Sequence, residues 1–403
     1  MNKPHTETPK PGRLPRNVII LGLVSLLNDF ASEMVVPLIP LLLVTVLAAG
    51  PAALGLIEGT AEMLANLLKL WSGRRSDRGE RRRKPFVIAG YLLSNLARPL
   101  VGLSGHWFTV LCIRLVDRTG KGLRTAPRDA LIADSIDDAS AGRAFGLNRA
   151  LDHAGAVLGA LAAAAILHWG TDRLDMVIAL SALPGLLAVA LIVIAVREPI
   201  HPPRPPSPVP LLQWGKMHST LQRYLLLIAL FALGRIPDTF LLLRGHELGQ
   251  SAVSLLLLWA ALHALKSVVS EMVGRWATRP RRRGLILLGW ACYAMALAGL
   301  GWTSSVEGLW CFALLMGGYY GLTETSERAL IRDLAPVNEY GTAFGWYHLL
   351  NGTAAVLGGV TLGSLWSLAG SAPAFFLSAA IALLCSLLLW RFRPDYAAFA
   401  NSR

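Results

Sequence analysis

ALIADSIDDASAGRAFG, residues 130–146, returns as ALIRDLAPVNEYGTAFG at 329–345, and the match runs on without a gap as AVLG at 156–159 and 355–358. The offset is a constant 199 residues. Upstream in each copy lies a second related pair: GRRSDRGERRR from Gly73, followed by VIAGY, and GRWATRPRRR from Gly274, followed by LILLGW. A 403-residue chain that repeats itself at nearly half its length is a duplication of one structural unit.

Composition says what that unit is. Hydrophobic residues make up 54% of the chain and charged residues 16%, whereas soluble domains carry about 25% charged residues. A membrane-crossing helix needs roughly 20 mainly apolar residues. Twelve such stretches are read at 17–47, 53–72, 86–104, 107–126, 143–168, 175–196, 224–243, 252–274, 284–302, 308–326, 343–366 and 372–391. They are too long and continuous for the alternating strands of an outer-membrane barrel, so backbone groups in the bilayer must be satisfied within helices. The expected fold is an all-α polytopic membrane protein of 12 transmembrane helices. These form two pseudo-symmetric six-helix bundles of parallel topology, related by an axis along the membrane normal. The expected division is a tail at 1–16, a bundle at 17–196, a linker at 197–222, a bundle at 223–392 and a tail at 393–403. REPIHPPRPPSPVP, from Arg197, is too proline-rich for helix or sheet and reads as an extended tether.

A formal net charge of +13 raises the question of nucleic acid, and its placement answers it. Arg74, Arg75, Arg78, Arg81, Arg82, Arg83 and Lys84 follow the second stretch, and Arg279, Arg281, Arg282 and Arg283 follow the eighth. Arg197, Arg204, Lys216 and Arg223 lie in or beside the linker, and Arg391, Arg393 and Arg403 close the chain. The intervening loops at 48–52 and 367–373 have no Lys or Arg. The positive-inside rule therefore puts both termini and the linker in the cytoplasm, in a multi-pass protein of the inner (plasma) membrane. The basic runs read as topology signals and contacts to anionic membrane lipids. The first 16 residues lack a signal peptide's apolar core and cleavage site. Cys112, Cys292, Cys311 and Cys385 sit singly in apolar spans without a CxxC pair, which indicates neither a disulfide framework nor a metal site.

The two halves, the tether and a Gly-x-x-x-Asp-Arg turn after the second span together resemble the major facilitator superfamily over essentially the whole chain. The turn reads Gly73, Asp77, Arg78, Gly79, Arg81 and Arg82. The resemblance implies that it latches the cytoplasmic ends of the halves together in the outward-facing state, with a carboxylate accepting charge-assisted bonds across the interface. Thr278 stands where the second copy needs Asp, so the latch is expected to be asymmetric and carried by Asp77. RLVDRTGKG from Arg114 is similar to the family's Arg-x-x-Gln-Gly-x-Gly motif, with Asp117 for Gln and Arg118 for the first Gly. The motif's arginine is associated with proton coupling. Gly155 and Gly159 resemble a glycine spacing seen in the family's exchangers, and small-xxx-small is also how any two membrane helices approach closely. LNDFASEMVVPLIPLLL at 27–43 and DRTGKGLRTAPRDALIADS at 117–135 resemble a prokaryotic branch of efflux permeases. The Gly-Lys pair in the second string is not a phosphate loop, because no GxxxxGK[ST] follows a strand.

Charged residues at bilayer depth cost roughly 2.5–3.5 kcal/mol each on insertion scales, so they pair or face a cavity. Glu58, Glu62, Asn66 and Lys69 step by four, four and three along one stripe, and Asp29 and Glu33 are one turn apart. The proton-coupling candidates are Asp29, Glu33, Glu62 and Asp117, with Arg98 and Arg114 as their partners. A carboxylate in such a setting exchanges protons as its surroundings change. The alternative is a set of static ion pairs. The cavity candidates are Asn28, Arg118, Asp152, Arg235, Asp238, Trp259, His263, Tyr320, Tyr347 and Asn351; for the aromatics, packing or a lipid-facing belt is the competing reading. The N-terminal half is expected to handle protons and charge, and the C-terminal half to supply the more apolar cargo surface.

The implied function is secondary active transport by alternating access, with proton-coupled export of a small organic molecule as the leading reading. The rival is proton-coupled import of a polar or anionic metabolite. A scaffold or receptor without flux finds no extra soluble domain to support it. An enzyme finds no nucleophile–base pair and no HExxH site, since His246 and Glu247 lack a second ligand. No cofactor and no metal are expected. The partners are the small-molecule substrate, protons and lipid, without nucleic acid, and a monomer is the default.

Overall fold

The computed structural model describes residues 14–76, 82–136, 141–198, 213–276, 281–336 and 339–392. Among them every regular element is helical, arranged as twelve long rods. The first six are α1 (Arg16–Val46), α2 (Pro51–Ser76), α3 (Lys84–Leu103), α4 (Trp107–Asp134), α5 (Ala141–Trp169) and α6 (Leu174–Ala195). The others are α7 (Ser219–Glu247), α8 (Ala252–Trp276), α9 (Arg282–Trp302), α10 (Val306–Leu334), α11 (Tyr340–Ala369) and α12 (Ser371–Arg391).

Nine of these rods are long and apolar enough to cross a membrane. The sequence reading of twelve spans goes further than that measure, which leaves out α2, α4 and α10. Their 26, 28 and 29 residues are long enough, but ionisable side chains lower their apolarity. Those rods pack among the others, so their polar faces meet protein.

The rods α1 and α7 are broken near their middles, and proline is the reason in both. In α1 the regular helix ends at Glu33; a 3₁₀ turn at Val36–Leu38, which contains Pro37, and a π turn at Leu42–Val46 follow, with Pro40 between the two turns. In α7 the helix stops at Gly234 and resumes at Thr239, with Pro237 in the gap. Proline lacks the N–H that the ladder needs and clashes with the preceding turn. The freed groups in α7 find side chains instead: the Ile236 N–H donates to Tyr293 Oη at 2.9 Å, and Ser378 Oγ donates to the Gly234 carbonyl. A break of this kind is tolerated at membrane depth only where protein or a cavity surrounds it.

The repeated AVLG explains itself in the packing. A Cβ on Gly159 would lie 2.3 Å from the Phe30 carbonyl oxygen, and one on Gly358 would lie 2.3 Å from that of Leu233. Thus α5 rides on α1 as α11 rides on α7, backbone against backbone, and only glycine permits it. The halves meet where α2 packs along α11 and α5 along α8. At the end opposite the basic loops, Gly55 faces Gly359, Gly363 faces Pro51, and the Ala52 N–H donates to Ser367 Oγ at 3.1 Å. The far segments of α1 and α7 also touch there, so this end is sealed. On the outside, Leu183, Leu187, Ile194, Leu383 and Trp390 are exposed, as surfaces facing hydrocarbon are.

Candidate functional site

At the core of the N-terminal half, one carboxylate is shared by two arginines. Asp117 Oδ1 accepts from Arg98 Nε at 2.9 Å and its Oδ2 from Arg114 Nη1 at 3.1 Å. All three side chains are at most 3% exposed as residues. Arg114 turns its other nitrogen to Glu58, at 2.8 and 3.0 Å from the two carboxylate oxygens. Arg98 also donates to the Asn28 carbonyl at 3.2 Å, to Asn28 Oδ1 at 3.2 Å and to Asn95 Oδ1 at 3.0 Å. Two cations and two anions balance, and the arginine forks find acceptors on α1, α2, α3 and α4. Uncompensated burial of any one of these charges costs several kcal/mol, so the cluster ties four rods together.

One turn further along α4, pairing thins out. Arg118 comes no nearer to a carboxylate than 3.9 Å, to the Glu58 oxygen that Arg114 already occupies. Its Nε has no hydrogen-bond partner among the described residues. Lys121 makes no ion pair among the described residues. Glu62 accepts from Asn66 Nδ2 at 3.2 Å, and Asn66 in turn accepts from Lys69 at 3.2 Å. Around Glu62, within Coulombic reach, stand Lys69, Lys121 and Arg118 of its own half and Arg235 of the other.

The acid at the end of the regular helix in α1 crosses between halves. Trp259 Nε1 on α8 donates to Glu33 Oε2 at 2.8 Å. His263, one turn on, tilts against the same indole with centroids 5.2 Å apart, and its Nε2 is buried without a partner among the described residues.

The break in α7 supplies Arg235 and Asp238. Tyr320 Oη on α10 donates to Asp238 Oδ1, and Lys266 sits over the Tyr320 ring, 4.7 Å from its centroid. Arg235 has the phenols of Tyr319, Tyr320 and Tyr347 around it. Glu324 bridges the halves by pairing with Arg149 of α5, and Lys266 approaches it at 3.8 Å.

Of the residues singled out from sequence, Asp117, Arg98, Arg114 and Asn28 share one cluster. Glu33 with Trp259 and His263, Glu62 with Arg118 and Arg235, and Asp238 with Tyr320 gather around the space between the halves. Asp29 accepts from Asn28 Nδ2 at 2.9 Å. Asp152 lies apart, held by Arg128 at 3.7 Å and Asn148 at 3.3 Å. Asn351 bonds back to the Tyr347 carbonyl of its own helix at 3.1 Å.

The expected pairing differs in one respect: Arg98 and Arg114 serve Asp117 and Glu58, and neither meets Glu33 or Glu62. Arg114 and Glu58 each stand seven residues from the start of their rods, at matching depth, and that count was the sequence signal for the pair. Gly73 closes on α4, where a Cβ would sit 3.2 Å from that of Ala126. Asp77, Arg78 and Arg81 of the expected latch lie outside the described residues.

The sequence profile of the Major Facilitator Superfamily matches residues 21–359 and 239–401. An uncharacterized MFS-type transporter of Methanocaldococcus jannaschii is 28% identical over 391 residues, covering 93% of this chain and 94% of that protein. The multidrug resistance protein MdtG of Citrobacter koseri is 31% identical over 159 residues, which is 37% of this chain and 38% of that protein. Among solved structures, a D-xylose-proton symporter superposes with a TM-score of 0.74 at 16% identity, covering 94% of this chain and 98% of that one, a likeness of fold. With a profile match running through both halves and the packing those halves display, the chain belongs to the Major Facilitator Superfamily and is a transporter of that family.

Proposed function

We propose that this protein is a proton-coupled secondary transporter that exports a small organic molecule by rocking its two halves about the central site. The observation that carries the coupling is the Glu33–Trp259 hydrogen bond, a titratable group joined to the opposite half at the break in α1. When the halves part at that end the bond is lost and Glu33 meets different partners and different hydration, so its protonation is tied to the position of the halves. Proton binding and the position of the halves then bias each other, as linkage requires. The partial likeness to a multidrug resistance protein supports outward movement of cargo.

The positive-inside rule applied to the basic loops supports a sealed end facing away from the cytoplasm, both termini within it and residence in the inner membrane. The domain division read from sequence is part of the same proposal, as is work by a single chain.

The test is reconstitution into liposomes under an imposed pH gradient, with cargo drawn from a panel of organic cations, organic acids and sugars. Movement of a compound against its own gradient, driven outward by inward proton flow and uncoupled in Glu33→Gln, is expected. Gradient-independent equilibration by the wild type would sink the coupling. A second reading, uptake of an anionic metabolite together with protons, is favoured by the cations on α4 and α7 and is distinguished by the direction in which cargo moves.

A further inference from the structure

The acids and the bases around the central space are treated differently. Three acids there take a neutral donor: Glu33 has the indole of Trp259, Asp238 the phenol of Tyr320, Glu62 the amide of Asn66, whereas Glu324 is paired with Arg149 and approached by Lys266. Deeper in the C-terminal half, Glu327 has the indole of Trp290 at 2.8 Å. Three bases are left over. Lys121 and Arg235 make no ion pair among the described residues, and Arg118 has only its 3.9 Å approach to an oxygen that Arg114 already holds. Arg118 Nε is also a buried donor without an acceptor among the described residues. Leaving a buried cation unpaired is costly, while Glu33, Asp238 and Glu62 take hydrogen bonds from groups that carry no charge. That arrangement leaves positive charge, and the Nε donor of Arg118, for an acceptor that comes from outside.

We propose that the cargo carries a negative charge, and that its carboxylate, phosphate or sulfonate head is held by Arg118 and Lys121 of α4 and Arg235 at the break in α7. This rests on the transport reading only for the cargo being moved; the binding site stands on its own geometry. An anion bridging α4 and α7 joins the two halves, and guanidinium groups are suited to the oxyanion.

Glu62 is the native charge among those cations, and a bound anion contends with it. The groups facing Glu62 are Asn66 and Lys69 on its own rod, Arg118 and Lys121 on α4, Arg235 on α7 and His348 on α11. Neutralising Glu62 therefore strengthens anion binding.

The experiment is thermal unfolding of the detergent-purified full chain with benzoate, succinate, citrate, glycerol phosphate and an aryl sulfonate, against tetraphenylphosphonium and a neutral hexose as controls. A ligand of the folded state raises the midpoint with concentration. At least one anion is expected to do so, with apparent affinity reduced on the order of tenfold to a hundredfold in Arg118→Gln and Arg235→Gln and increased in Glu62→Gln. The gain in Glu62→Gln guards against variants that merely fold poorly. Stabilisation by the cation or the hexose with none by any anion overturns the proposal, and so does a flat response to the whole panel. Flux separates the two readings. An anion that binds but is not carried across liposomes leaves the site and removes transport of that compound, whereas a neutral or cationic compound that is carried leaves transport and removes the anion site.

Discussion

Arg83, just ahead of α3, pairs with Asp134 at the end of α4, and the same nitrogen donates to the Ala130 carbonyl at 2.7 Å. Exactly one repeat later in spacing, 199 residues on, Arg282 pairs with Asp333 and reaches the Ala329 carbonyl at 3.5 Å. The repeated ALI-x-D is thus the acceptor half of a clamp, and the repeated arginine run supplies its donor. Each clamp ties a basic loop to the helix end beside it. Asp134→Asn is expected to lower the unfolding temperature of the purified protein, by the equivalent of about 3–5 kcal/mol if the charge stays buried. The swap Arg83→Asp with Asp134→Arg should restore part of it, and an unchanged midpoint in Asp134→Asn would count against the clamp.

Asp117 is the hub of the buried cluster, so Asp117→Asn leaves Arg98 and Arg114 with one uncompensated charge. A loss of about 3–5 kcal/mol is expected, larger than for Glu58→Gln, since Glu58 serves chiefly Arg114. Urea-induced unfolding of the two variants in the same detergent gives the ranking; equal losses would remove Asp117 from the centre.

Trp259→Phe keeps a ring at the contact with Glu33 and removes only the N–H. A hydrogen bond to a charged group is worth about 1.5–3 kcal/mol, so the sealed arrangement should lose roughly ten- to a hundredfold in population. Labelling of a cysteine introduced at the sealed end should quicken accordingly. Glu33→Gln should abolish any pH dependence of that labelling, and a pH dependence that survives would transfer the role to another acid.

Gly55 admits no side chain: a Cβ there would lie 2.0 Å from the Gly359 carbonyl oxygen. Gly55→Leu is expected to force α2 from α11 and hold the far end open. In a background without the four native cysteines, a Cys pair at Ala52 and Ser367 should cross-link readily in the parent and poorly in the leucine variant. Equal cross-linking would show that the rods slide past the obstruction.

The residues themselves declared the duplication, the apolar rods and the side on which basic charge collects, because these depend on spacing and composition along one chain. Spacing also put Glu58 and Glu62 on one stripe of α2, since period fixes which face a residue takes. It did not choose between them. Arg114 takes Glu58 and leaves Glu62 to Asn66, a difference of one turn set by how deep α2 stands against α4. Likewise, nothing near Glu33 in the chain announces Trp259, 226 residues away. A helix's own periodicity decides direction, but partners across helices depend on relative depth and rotation, which are properties of the packed bundle. The rods, their repeat and their charged faces are therefore legible along one chain. Which acids are capped by neutral donors, and which cations pair with no acid among the described residues, follows from contacts between rods and so from the packed bundle.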